Sequence, residues 1–225
     1  MRKRAITNTI MSLFFLLLPG CKGYINWGGC PWHHCPWAVR DIEVGRRLGR
    51  SVPVFDKYSA RIIFDAMPLS DQVRTAYARM QAGRFDKSDK WLQGELAKQI
   101  DINKELIAFY SPALREMPFG DRCGEWTPRL EVNGVLHNPI YIKDVDPPVE
   151  YKHMLGPRYT RFKLIYELAF AARDENGRPI IPSSVRSISL VFQAPDKKTS
   201  ISWPVGAGGV TFGDERAIDV DPEDE

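Results

Sequence analysis

The sequence of 225 residues has no long hydrophobic run and none of the common catalytic motifs. Its longest apolar stretch, Ile10–Leu18, would form a helix of about 14 Å, too short for a hydrocarbon core of about 30 Å. A mean hydropathy of −0.31 excludes a polytopic membrane protein. The chain has no G-x-S-x-G, H-E-x-x-H, P-loop or kinase motif and only four histidines, which argues against the enzyme classes that those motifs define.

The charge of the chain is close to balanced, with 31 basic and 28 acidic residues. The surplus of three equals Arg2, Lys3 and Arg4, so the remaining chain carries 28 of each sign and no nucleic-acid partner is expected. Residues 213–225 are predicted to be an acidic disordered tail, because seven acids and one Arg216 follow Gly213.

The first twenty residues have the pattern of an export signal. Three cations in the first four residues precede the apolar run Ile10–Leu18, and small residues follow that run. A basic segment, a short apolar segment and a small-residue cleavage site together define a secretory signal peptide. We therefore predict that residues 1–20 are a signal segment rather than a transmembrane anchor.

The residues Leu18-Pro19-Gly20-Cys21 resemble the lipobox of bacterial lipoproteins. The resemblance implies cleavage before Cys21 and acylation of its thiol, usually with acylation of the new amino terminus as well. Two or more acyl chains hold a protein durably at a membrane. The implied partner is the membrane, through the acyl chains on Cys21, and the implied location is the cell envelope at the outer membrane. The alternative is a plain secreted protein in which Cys21 is an ordinary cysteine.

Three cysteines remain after Cys21, and two of them lie in the unusual segment Tyr24–Trp37, which holds three tryptophans and two histidines. Cysteines in an oxidising compartment favour disulfides. Cys30 and Cys35 could close a small loop, or one of them could pair with Cys123 and fasten the segment to the rest of the protein. Both disulfide pairings remain open.

The same segment offers a second interpretation as a metal site. The ligand types of Cys30, His33, His34 and Cys35 suit Zn²⁺ or copper, although adjacent histidines rarely point at one ion. A c-type haem or a thioredoxin-type redox pair is disfavoured, because neither C-x-x-C-H nor C-x-x-C occurs. The leading expectation is no cofactor, with Zn or Cu as the alternative.

The remainder of the chain is predicted to be mainly β, an Ig-like β-sandwich with a two-helix insertion at about residues 70–100. The predicted domains are a Cys/Trp/His-rich tether and linker at 21–58, in which Arg40–Tyr58 is a linker or an early edge segment, and a β-sandwich domain at 59–212. Ser70 and Ser88 begin the two helices. Val73, Ala76, Tyr77 and Met80 form the apolar stripe of the first, and Trp91, Leu92, Leu96 and Ile100 that of the second.

Several strands are predicted from local patterns. Asn133-Gly134 is a hairpin turn between two short strands, and Pro112 ends the strand that begins near Glu105. Strict alternation over Tyr159–Ala171 places Phe162, Leu164, Tyr166, Leu168 and Phe170 on a buried face, with Lys163 and Glu167 on a wetter face. His137 lies beside the hairpin turn and His153 in a proline-flanked loop.

The function that these features favour is a non-enzymatic, lipid-anchored envelope protein that acts as an interaction or structural module, with an envelope protein as its possible partner. Two other classes remain open. One is an envelope metal or redox module that uses Cys30, His33, His34 and Cys35. The other is a hydrolase or different enzyme whose site is assembled from distant loops, which a single sequence does not test.

Overall fold

The computed structural model describes residues 36–55, 61–114, 119 and 126–214. The chain forms two units, Met1–Arg40 and Asp41–Glu225. The strands and the packing contacts given below belong to the second unit.

Nine strands and four α-helices are found in the described residues. The helices are α1 (Pro36–Leu48), α2 (Asp71–Arg84), α3 (Asp89–Glu105) and α4 (Val149–Leu155), and a 3₁₀ turn (Gly156–Arg158) follows α4. The strands are β1 (Arg50–Phe55), β2 (Arg61–Pro68), β3 (Leu106–Leu114), β4 (Thr127–Val132), β5 (Val135–His137), β6 (Tyr141–Val145), β7 (Lys163–Ala171), β8 (Ser187–Ala194) and β9 (Lys197–Pro204).

The strands form two antiparallel sheets, one of five strands in the order β1-β2-β3-β7-β6 and one of four in the order β5-β4-β8-β9. The prediction of a mainly β protein with two helices between early strands is confirmed. The second helix is longer than predicted, since α3 continues beyond Gln99 to Glu105 and runs directly into β3.

Aromatic side chains of the two sheets pack against each other. Phe64 of β2 stacks on Phe192 of β8 with ring centroids 4.5 Å apart, and Phe109 of β3 lies 5.3 Å from Trp203 of β9. The indole of Trp203 is fully buried, and its Nε1 donates a 2.6 Å hydrogen bond to the carbonyl of Leu48 at the end of α1. A buried indole therefore joins the sheets to that helix end.

The opposite face of the five-stranded sheet is covered by helices. Tyr110 of β3 meets Tyr151 of α4 at 5.2 Å, and Tyr151 stacks on Tyr77 of α2 at 4.5 Å. The predicted wetter face of β7 belongs to this layer, since Glu167 stands opposite Tyr110 in the strand register. Lys163 and Glu167 are consequently half-buried rather than open to solvent.

Three local predictions are confirmed. The hairpin turn forms at Asn133-Gly134, with positive φ angles of 50° and 79° that match a type I′ turn. Ser70 and Ser88 cap α2 and α3 by accepting hydrogen bonds from backbone N–H groups three residues ahead. His137 lies in β5, close to that hairpin turn.

Three other predictions are wrong. Phe162 precedes β7 and is 63% exposed, because β7 begins only at Lys163. Pro112 lies inside β3, where β2 no longer pairs beyond Tyr110 and a residue without an N–H is tolerated. His153 is helical, because Pro148 starts α4 from a position that needs no N–H donor.

The polar segment Arg40–Tyr58, predicted as a linker or an early edge segment, provides most of α1 and all of β1, which is an edge strand. The sequence does not predict this helix, because it contains three β-branched residues and Gly45 among many charges. Gly45 has a packing reason: a Cβ there would stand 2.2 Å from the Cβ of Met154, so only glycine lets α1 lie this close to α4.

Candidate functional site

The site residues predicted from the sequence, which are Cys21, Cys30, His33, His34, Cys35 and Cys123, lie outside the described residues. Most of the predicted acidic tail, 215–225, lies outside them too. Across the part of the chain that the structure describes, no cluster of three or more His, Cys, Asp or Glu side chains could hold a metal ion. In that same part, no helix has the length and apolar character to cross a membrane.

A buried polar centre lies at the start of α2. The carboxylate of Asp71 is fully buried and accepts hydrogen bonds from the backbone N–H groups of Gly213 (2.9 Å) and Asp214 (3.0 Å). The same carboxylate accepts a 2.8 Å bond from the side-chain amide of Asn103 on α3. One carboxylate therefore joins two helices to a segment near the end of the chain.

The segment held at this centre is Gly209–Asp214, which we call the C-terminal strap. Gln72 binds it with both ends of its side-chain amide: Nε2 donates to the carbonyl of Gly209 (2.9 Å), and Oε1 accepts from the N–H of Thr211 (3.3 Å). The N–H of Asp71 also donates to the carbonyl of Thr211 (2.9 Å). The strap thus forms hydrogen bonds with two consecutive residues at the start of α2, Asp71 and Gln72.

Arg74 extends the buried centre between α2 and α3. Its Nε donates to the carbonyl of Leu69 (3.1 Å) and to Oδ1 of Asn103 (2.6 Å), while a terminal nitrogen donates to Oε1 of Gln99 (2.9 Å). Gln99 in turn donates to Glu95 (2.7 Å). Burial of an arginine is costly unless its donors are bonded, and these contacts offset that cost.

A second polar group is the ion pair at the start of β7. Asp65 of β2 pairs with the ammonium of Lys163 and accepts a 2.5 Å hydrogen bond from the hydroxyl of Ser51 on β1. Lys163 also donates to the carbonyl of Arg158 (3.1 Å). These bonds fix the turn between α4 and β7 against the edge of the sheet.

The third polar group lies among tyrosines under the helices. Glu150 is fully buried, and one of its oxygens accepts a 2.8 Å bond from Arg84, while its Oε2 has no hydrogen-bond partner within the described chain. Burial raises the pKa of Tyr110 and Tyr151. Burial is the larger cause, and a 2.8 Å hydrogen bond to Glu167 the smaller one, of a rise in the pKa of Tyr141 to about 12. All three phenols therefore stay neutral near pH 7.

The three polar groups connect different elements of the same chain. Their hydrogen bonds run between helices, to the strap and between strands, so the chemistry that they supply is attachment of one element to another. From the sequence, this region is predicted only as a helix start at Ser70. Asn103 is 32 residues away from Asp71, and Gly213 is 142 away, so no short-range pattern links them.

Comparison of the chain with protein-family models, characterised proteins and solved structures finds no match.

Proposed function

We propose that this chain is a lipid-anchored protein of the bacterial cell envelope, attached to the outer membrane through acyl chains on Cys21. The support is the resemblance of Leu18-Pro19-Gly20-Cys21 to a lipobox, together with the basic start and the short apolar run before it. The residues after the anchor would then form a domain that faces the periplasm and stays at the membrane surface.

The body would be an Ig-like β-sandwich that acts as an interaction or structural module. Two antiparallel sheets whose aromatic side chains interdigitate support this architecture. The observation that supports this role is that the buried charged side chains of Asp71, Arg74 and Asp65 form hydrogen bonds with other parts of the protein. Such groups stabilise a specific surface rather than prepare a substrate for reaction.

The anchor predicts a specific pattern of lipid labelling. Cells grown with a clickable palmitate analogue should label the wild-type protein and leave a Cys21→Ala variant unlabelled, because the acyl chains are attached to that residue. The measurement is gel fluorescence after purification of the protein.

Cys123→Ala is the matched control, since it removes a thiol without touching the lipobox and should keep the label. Label that survives Cys21→Ala, or wild-type protein without label, would contradict the anchor.

A second candidate function is an envelope metal or redox module. The observation in its favour is that Cys30, His33, His34 and Cys35 place two thiols and two imidazoles within six residues. In that case purified protein should contain close to one Zn or Cu per chain by elemental analysis, and its metal content should be lost in Cys30→Ala. Metal-free protein with a Cys30–Cys35 bridge in its peptide mass map would instead support the stapled loop.

A further inference from the structure

Four exposed apolar side chains lie at one end of the five-stranded sheet, where β1 and β3 finish and β2 and β7 begin. Phe55 and Phe162 are the most exposed of them, at 62% and 63%, and Ile63 and Leu114 are exposed too. Leu114 pairs with Lys163 in the strand register, and Lys163 directly follows Phe162 in sequence. We call these four residues the apolar end. Single exposed apolar residues are ordinary, whereas a group on neighbouring strands marks a contact surface.

One arginine lies at the apolar end, and two more lie at the turn between α4 and β7 that precedes it in the chain. The guanidinium of Arg161 lies over the ring of Phe162, 4.8 Å from its centroid. Arg158 packs against the end of α1, where a Cβ on Gly49 would be 3.2 Å from its NH1 nitrogen. Arg46 on α1 lies against Gly156, with its Nε 3.3 Å from where a Cβ would stand. Positive charge therefore lies over the exposed ring of Phe162 and along the turn between α4 and β7.

The nearby carboxylates offset only part of this charge. Glu43 pairs with Arg46 at 2.7 Å, and buried Asp65 is committed to Lys163. Among the described residues, no carboxylate lies within ion-pair distance of Arg158 or Arg161. Among the described residues, the apolar end thus presents two aromatic rings and two aliphatic side chains beside Arg161, which has no carboxylate within ion-pair distance.

We propose that the apolar end and Arg161 rest on an anionic lipid surface, with Phe162 entering the interface and Arg161 contacting headgroups. Charge complementarity with anionic headgroups selects this occupant, since an aromatic ring next to arginines matches both the apolar and the charged layer of a leaflet. The inference rests on the proposed function, which supplies the membrane. Pro36 lies 15 residues after Cys21, a span of up to about 50 Å, so an anchor there can bring the body to the leaflet.

The test uses full-length protein with Cys21→Ala, so that acyl chains contribute nothing to binding. Co-sedimentation is measured with phosphatidylcholine vesicles that contain either about 30% phosphatidylglycerol or none, at about 0.1 M and 0.5 M salt. The expected result is preferential binding to the anionic vesicles that weakens at the higher salt.

The variants separate the apolar end from the rest of the chain. Arg161→Glu with Phe162→Ser should weaken binding to anionic vesicles by about tenfold or more, and Arg161→Gln alone by roughly fivefold. Arg178→Glu is the matched control: it changes an exposed arginine beyond the opposite end of β7, and its binding should stay within about twofold of the parent. All variants share the same N-terminal segment and are compared at equal helix and strand content by circular dichroism.

Equal vesicle binding by the Arg161/Phe162 variants and by Arg178→Glu would overturn the inference. So would unchanged vesicle binding with a loss of binding to immobilised polyglutamate, which would assign the arginines to an acidic polypeptide. Because the chain tested has no acyl group, a failure here leaves the palmitate result untouched, and a missing palmitate label leaves this result untouched.

Discussion

Asp71→Ala is expected to lower the free energy of unfolding by about 3–5 kcal/mol. The substitution removes the shared acceptor for Asn103, Gly213 and Asp214, and their N–H donors lie at or near the buried centre. Each donor left without a partner costs about 1–3 kcal/mol when it is buried. Part of that cost is relieved if the strap leaves its place and meets water, which is why the expected loss is smaller than the sum.

Urea denaturation followed by tryptophan fluorescence gives the free energy, and limited proteolysis reports on the strap. Asp71→Ala should release the residues after Val210 to protease at concentrations that leave the wild type intact. Asp71→Asn keeps one acceptor oxygen and should lose about 1–2 kcal/mol.

The chain contains a matched control for this substitution. Asp89 occupies the same place in α3 that Asp71 occupies in α2, directly after a serine N-cap, but its side chain is exposed. Asp89→Ala removes only the favourable interaction of a carboxylate with the helix dipole, so the expected loss is about 0.5 kcal/mol. Equal losses for the two variants would show that Asp71 acts only through the helix start and that its bonds to the strap contribute nothing.

Trp203→Ala is expected to lower the free energy of unfolding by about 3–5 kcal/mol as well, for a different reason. The indole is fully buried between the sheets against Phe109, and its removal leaves a large cavity. The carbonyl of Leu48 also loses its 2.6 Å donor. Loss of packing and loss of a buried hydrogen bond therefore act together.

Trp203→Phe helps to separate the two contributions, because it keeps a six-membered ring in the core while it removes the N–H donor with the rest of the five-membered ring. We expect a loss of about 1–2 kcal/mol for this variant. Trp91→Ala on α3 is the control for tryptophan itself, since its side chain is only half-buried and should cost about 1 kcal/mol. A Trp203→Ala variant no less stable than Trp91→Ala would contradict the central place given to Trp203. Because both changes alter fluorescence, far-ultraviolet circular dichroism is the common probe.

The sequence predicts those parts of the fold that depend on neighbouring residues. The Asn133-Gly134 turn, the capping serines Ser70 and Ser88 and the alternation of Leu164, Tyr166 and Leu168 act over a few residues, so their structural signals can be read from the chain. Phe162 shows the limit of this signal. It continues the alternation on the N-terminal side, but β7 begins only at Lys163.

The polar centres could not be predicted, because they arise only when distant segments meet. Asp65 and Lys163 are 98 residues apart, and neither has a neighbour in sequence that marks it as buried. The α1 helix is not predicted for a related reason. Its packing against α4 depends on the close approach of Gly45 to Met154, which is a tertiary contact. Tertiary packing overrides the weak local preference at such positions.

The place of the strap imposes an order on folding. Synthesis delivers Asp71, Arg74 and Asn103 long before Gly213 and Asp214, so the carboxylate of Asp71 has only a part of its native donors until the last residues of the body emerge. Until those residues emerge, the bonds from Arg74 to Asn103 and Gln99 can join α2 to α3 without the strap. Chains truncated before residue 209 lack these bonds, so we expect them to be less stable than the full chain and strap binding to be a late step in folding.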